Sequence, residues 1–168
     1  TQPCSSAASD VYKRQRGHSS HMWAQKLGLD GFQEGDGDLV SELTSVMQLT
    51  ETDMTILFRT LSTIQDPDSN HLTRAFYKEE EIPQKEWNSW LDRWWSRVDG
   101  RPDRESMLNA NPKYVLRNWI AQLAIDAAEK EDYSVATALY EMLKKPYDEQ
   151  PGNEEKWFSR GQSGLGTE

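Results

Sequence analysis

An all-α fold is what this sequence predicts, and three observations carry the prediction. Glycine is absent between residues 38 and 99 and again between 101 and 151. Proline falls instead at 67, 83, 102, 112 and 146, where it can stop one helix and start the next. No stretch alternates apolar and polar residues with the period of two that a half-buried strand requires. Five or six helices joined by short links, closing on one core, are therefore expected.

Taken in order, the first helix is expected over about Asp36 to Leu49, where Leu39, Val40, Leu43, Val46 and Met47 recur at helical spacing. Thr50 or Thr52 can cap the second, whose apolar positions are Ile56, Leu57, Leu61 and Ile64 with Phe58 beside them. Asp66-Pro67-Asp68 closes it. Leu72 to Tyr77 reads as a short helical turn and Glu79-Glu80-Glu81 as a solvated acidic link. Pro83 suits the first turn of a helix running to about Val98. Trp87, Trp90, Leu91, Trp94, Trp95 and Val98 follow its face at i, i+3, i+4, i+7, i+8 and i+11. A tryptophan stripe can stack on a ligand, but this spacing is that of a packing face, so packing within the fold or against another domain is the preferred reading.

Asn111-Pro112 is expected to open the strongest helix, ending near Glu131, with Val115, Leu116, Trp119, Ile120, Leu123 and Ala127 on its apolar side. Arg117, Ala121, Ala124 and Ala128 form an adjacent stripe narrow enough for another helix to approach. Asp126 and Lys130 are spaced for an i,i+4 ion pair. A last helix from about Tyr133 carries Val135, Ala138, Leu139, Met142 and Leu143, and Pro146 ends it. From Gln150 onward the chain is polar and is expected to fray, so residues 152–168 read as a tail. Residues 1–21 lack any periodicity and any apolar core of a secretory signal. They resemble tag and junction sequence and are expected to be disordered. The folded region is thus expected over 22–151.

Composition narrows function by exclusion. The 168 residues carry a net charge of −9; Lys13, Arg14 and Arg16 against Asp10 give the first 21 residues +2, so the remainder carries −11. A field of that sign repels phosphate backbones, which argues against nucleic-acid binding. No run approaches the ~20 apolar residues needed to cross a bilayer, so no membrane span is expected. The single cysteine, Cys4, allows no internal disulfide and suits a reducing compartment, making the cytoplasm the default location.

Chemistry-bearing motifs are missing. There is no glycine-rich phosphate loop, nucleophile elbow or C-x-x-C pair. His18-x-x-His21 has half the spacing of a metal site but falls in the junction-like segment, and His71 has no ligand-type neighbour in sequence. Gly35-Asp36-Gly37-Asp38 lacks the ligand ladder and closing glutamate of a calcium loop and reads as a helix start. Lone acids such as Glu51 and Asp92 are not singled out as general bases. No catalytic, cofactor-binding or metal-binding residue is assigned to this chain.

Ala127 to Leu143 resembles one hairpin of a helical repeat, but no second copy follows at a period near 34 residues. A more specific likeness begins at Asn111. Asn111-Pro112-Lys113-Tyr114-Val115-Leu116-Arg117-Asn118-Trp119-Ile120-Ala121-Gln122 resembles a signature of the selenoprotein O family, and Asp132-Tyr133 and Pro146-Tyr147-Asp148-Glu149-Gln150-Pro151 continue it. Upstream, Lys26-Leu27-Gly28-Leu29, the run from Thr52-Asp53-Met54-Thr55 to Phe58-Arg59-Thr60-Leu61-Ser62, and the tryptophan-rich helix resemble family segments in the same order.

That resemblance implies that the chain is the C-terminal helical part of a protein-kinase-like fold. It implies a parent protein that transfers AMP from ATP to Ser, Thr or Tyr hydroxyls with Mg²⁺ or Mn²⁺. The family's catalytic lysine, glutamate, asparagine and metal-binding aspartate lie in an N-terminal region with no counterpart here, so none is carried over. The expected partners are that kinase-like region and the parent's protein substrates. The fragment alone is expected to be inactive. The family's Cys- or Sec-containing tail has no match in Trp157 to Glu168. The tryptophan face and the Arg117/alanine stripe are candidate docking surfaces, with packing inside the segment as the open alternative. A stand-alone helical scaffold that binds partner proteins is the competing functional reading.

Overall fold

The computed structural model describes residues 19–159. Cys4, His18, most of the junction-like segment and the end of the expected tail lie outside that range. Among the described residues every regular element is helical, and the only ladder-type contact is an isolated antiparallel bridge between Thr52 and Phe76. The all-α expectation holds.

Helix α1 spans residues 19–27, so residues 19–21 of the expected junction belong to a folded element. Helix α2 spans Asp36–Leu49 and buries Leu39, Leu43 and Val46, the periodic positions legible in the sequence. Helix α3 spans Met54–Leu61 and is capped by Asp53, whose side chain accepts from the Ile56 amide, rather than by either threonine. Thr52 is occupied in the bridge to Phe76, which leaves Asp53 as the residue half in the helix. Short 3-10 turns follow at Ser69–Ala75 and Glu79–Glu81.

Helix α4, Gln84–Arg97, carries the tryptophan stripe inward. Trp87, Trp90 and Trp94 are at most 1% exposed. Each would remove roughly 150–250 Å² from water, or at most about 4–6 kcal/mol at about 25 cal/mol per Å², so three together make this face core. Trp90 and Trp94 stack with centroids 6.0 Å apart. The Trp90 indole N–H donates to the Leu39 carbonyl of α2 at 2.9 Å, and that of Trp94 to the Leu27 carbonyl of α1 at 2.8 Å. Trp87, Trp90 and Trp94 are therefore consumed in packing, and Trp95 stays half-buried beside them. Trp87 Nε1 is buried without a partner.

Helix α5, Arg104–Ala110, was not evident from periodicity because only Met107 of its seven residues is buried. Asp103 caps it through the Ser106 amide. Its start is locked to the end of α1: the Asp103 amide donates to the Gly28 carbonyl at 2.9 Å. A Cβ on Gly28 would lie 2.8 Å from the Met107 sulfur and 2.9 Å from the Asp103 nitrogen, and φ is +65° there. Glycine in the Lys26-Leu27-Gly28-Leu29 segment thus answers both a left-handed turn and a backbone approach.

Helix α6 covers Asn118–Ala128, not the expected Asn111 to Glu131. Residues 111–117 are held out of helix by other bonds. The Asn111 amide closes α5 through the Met107 carbonyl, and the Lys113 and Tyr114 amides both donate to the Pro146 carbonyl. Helix α7, Ser134–Leu143, pairs with α6 as a hairpin. Asp126 accepts from Gln122 instead of pairing with Lys130. The expected frayed tail is also corrected. Helix α8 spans Pro151–Trp157, and Trp157 and Phe158 are 3% and 5% exposed. Trp157 stacks on Trp119 and Phe158 packs edge-on against Tyr114, which gives a polar segment two apolar anchors.

Candidate functional site: an ionic lattice built from the motif residues

The charged residues of the sequence motifs converge at one end of this core. Asp53, fixed by its place at the N-terminus of α3, turns its carboxylate to Arg117. The Arg117 Nη2 lies 3.0 Å from Oδ1, and Nη1 contacts Oδ2. The two side chains are 4% and 15% exposed. Arg117 reaches this position because its backbone is extended at the cap of α6, with φ −92° and ψ 154°. The pair explains why the helix starts at Asn118. It also removes Arg117 from the candidate docking surfaces, since its charge is spent inside the segment.

Arg59 sits in the last turn of α3, 4% exposed. Its Nη1 donates to the carbonyls of Leu108 and Asn111 at 3.1 and 3.0 Å; its Nη2 donates to the Tyr147 carbonyl at 3.0 Å and to Glu149 at 2.6 Å. One guanidinium thus ties α3 to α5, to the 111–117 link and to the chain beyond α7. Its Nε is buried without a partner. Lys113, 5% exposed, pairs with Glu149 and with Glu154 of α8. Arg74 contacts Glu154, donates to the Phe158 carbonyl at 2.6 Å and lies over the Phe158 ring. Asn111 exchanges hydrogen bonds with Lys26, its amide to the Lys26 carbonyl and the ammonium to its side-chain oxygen. Residues 85 positions apart in sequence are joined there.

Titration follows these contacts. Hydrogen bonding to Lys113 holds the Glu149 and Glu154 carboxyls below the usual glutamate range, with Arg59 adding to the effect on Glu149 and Arg74 on Glu154. Burial pulls the Lys113 ammonium down, but bonds to both glutamates outweigh it and leave the lysine raised. Lys26 is lowered by burial. On the far side of the core, the bond to Asp36 raises the Arg97 guanidinium.

An open cleft of about 460 Å³ borders the lattice, lined by Arg59, His71, Arg74, Lys113, Glu149 and Glu154 among others. Its cations already face carboxylates and carbonyl oxygens, so an incoming phosphate would have to displace Glu149 or Glu154. His71 pairs with Asp66 at 2.9 Å and not with a nucleophile. Among the described residues no group of three or more His, Cys, Asp or Glu is placed to hold a metal ion, and Asp36 is tied to Arg97 at 2.8 Å. The arrangement cross-links segments distant in sequence. Asp53, Arg59, Lys113, Glu149 and Glu154 were not singled out in the sequence. The available signal was a charge inside an otherwise apolar run, as with Arg59 after Ile56-Leu57-Phe58.

Fold and site together define a helical segment braced by ion pairs whose cations are largely buried. The family model described as Protein adenylyltransferase SelO matches residues 7–144, and the chain belongs to the SelO family. It is 49% identical over 152 residues to the Protein nucleotidyltransferase YdiU of Flavobacterium johnsoniae, covering 83% of this chain and 29% of that protein. Proteins of the same description from Rhodopirellula baltica and Aromatoleum aromaticum are 42% and 40% identical, covering 86% and 79% of this chain and 31% and 27% of theirs. The chain therefore spans less than a third of the length of these relatives. The family match begins at residue 7, inside the segment that resembled junction sequence.

Proposed function

We propose that this chain is the C-terminal helical portion of a SelO-like protein adenylyltransferase and that it braces the rest of that enzyme. The whole protein would transfer AMP from ATP to Ser, Thr or Tyr hydroxyls of other proteins, in the cytoplasm. The observation that carries the reading is how the family-like motifs are used. Asp53, Arg59, Asn111, Lys113 and Arg117 are all engaged in contacts that join segments distant in sequence. Nucleotidyl transfer needs cations free to gather around phosphates, and here Arg59, Lys113 and Arg117 are bound by carboxylates. ATP and Mg²⁺ or Mn²⁺ would accordingly be held by the larger part of the protein that these residues do not include.

Incubation of the chain with labelled ATP, Mg²⁺ or Mn²⁺ and acceptor proteins is expected to give no labelled protein, while a full-length relative labels its acceptors. AMP incorporation by this chain alone would overturn the assignment. The scaffold reading retains one supporting observation, the exposed tyrosines of the α6–α7 hairpin. It requires a protein partner unrelated to the rest of the enzyme.

A further inference from the structure

The described surface is unevenly apolar. Of the nine large hydrophobic residues exposed on it, six fall on the α6–α7 hairpin or its flanks: Leu116, Leu123, Ile125, Tyr133, Tyr140 and Tyr147. Single exposed hydrophobics are ordinary on a protein surface, but six on one small unit are a concentration, and Leu123 and Ile125, two positions apart on α6, put it on both sides of that helix. The hairpin also leans little on the rest of the fold. Helices α6 and α7 pack mainly on each other. The hairpin is tied to the body at its base, through Arg117 to Asp53, Trp119 to Trp157 and the Pro146 carbonyl. Only Ile120 of α6 and Leu139 and Met142 of α7 are fully buried.

We infer that the exposed sides of this hairpin are seated in the remaining portion of the same enzyme, in an apolar recess with a basic rim. The inference rests on the function proposed above and names the surface through which the bracing acts. Two observations select this occupant. The curated relatives are more than three times as long as the part this chain covers, so most of such an enzyme lies outside these residues. The hairpin and its end are acidic: Asp126, Glu129, Glu131, Asp132, Glu141 and Asp148 outnumber Lys130, Lys144 and Lys145 by three. Two copies of an acidic hairpin repel one another, which disfavours self-association through this face, while a basic rim on the partner complements it.

The test compares the same substitutions in two settings. Leu123→Asp, Ile125→Asp and Tyr140→Asp are made together in this 168-residue chain and in the full-length Flavobacterium johnsoniae relative carrying this chain in place of its matching segment. Thermal melts are recorded for both, and Tyr140→Asp alone serves as a milder variant. The chain by itself is expected to melt within a degree or two of its unaltered form, because all three side chains are exposed. In the full-length protein the same changes are expected to lower the melting temperature by several degrees or to split one transition into two. No loss in the full-length protein would overturn the inference and leave the proposed function standing. An unaltered full-length chimera that melts as two independent units would overturn the bracing role itself. Sedimentation showing a dimer of the chain that the substitutions abolish would assign the face to a second copy and overturn the inference.

Discussion

Asp53 does two jobs that are usually divided between residues. Its Oδ1 caps α3 by accepting from the Ile56 amide, and the same carboxylate neutralises Arg117, 64 positions away. Losing a cap costs roughly 0.5–2 kcal/mol, and leaving a mostly buried guanidinium unpaired costs about 3–5 kcal/mol when burial is complete. Asp53→Ala is therefore expected to destabilise the fold by about 3 kcal/mol, read from chemical denaturation. The double variant with Arg117→Ala should lose less than the two single losses added, since the second change removes the stranded charge. Strictly additive losses would mean that the pair does not act as a unit. At this scale the sequence was only partly informative. Asp53 and Arg117 lay within family-like motifs, but pattern alone could not show that they bind each other. Threonine was the expected cap, and Arg117 was a candidate for an outer surface.

Among the elements, α8 shows how a polar segment becomes structural. It is seven residues long, far too short to persist alone in water, and its stability comes from what its end buries. Trp157 stacks on Trp119 with centroids 6.4 Å apart, and the Phe158 ring receives Arg74 and Lys113 over its face. Trp157→Ala is expected to cost about 3–5 kcal/mol and to leave residues 151–159 exchanging their amide hydrogens rapidly. Slow exchange there after the substitution would show that the ion pairs of Glu154 hold the helix without the ring. Helices α2, α3 and α4 were legible because each presents a full apolar stripe to the core. Helices α1, α5 and α8 were missed because each is short and leans on partners distant in sequence. The start of α6 was misplaced for a related reason: Asn111 to Arg117 would suit a helix locally, but α5, Pro146 and Asp53 claim its polar groups first.

Across the whole molecule, acid should weaken the lattice. Glu149 and Glu154 titrate below their ordinary range in the folded state, so the folded protein binds fewer protons than the unfolded chain as pH falls through that range. Their contribution is complete above the unfolded glutamate value, near pH 4.3, and is lost as pH falls through the lower folded value. The melting temperature should decline over that window, and the variant combining Glu149→Gln and Glu154→Gln should show a shallower decline from a lower starting point. An unchanged slope in the variant would place the acid-sensitive groups elsewhere. Both glutamates are well exposed, so solvent screening keeps each share modest.

By itself, the sequence determined the helical class, the inward tryptophan face and the membership of a family, because periodicity and motif order are local properties of the chain. The tertiary structure alone decided where α6 begins, that Asp53 holds Arg117, and that the polar end folds back onto Lys113 and Arg74. Those outcomes depend on bonds between residues tens of positions apart. A charged group in such a place is stable only if its partner arrives at the right distance, and no local pattern encodes that arrival.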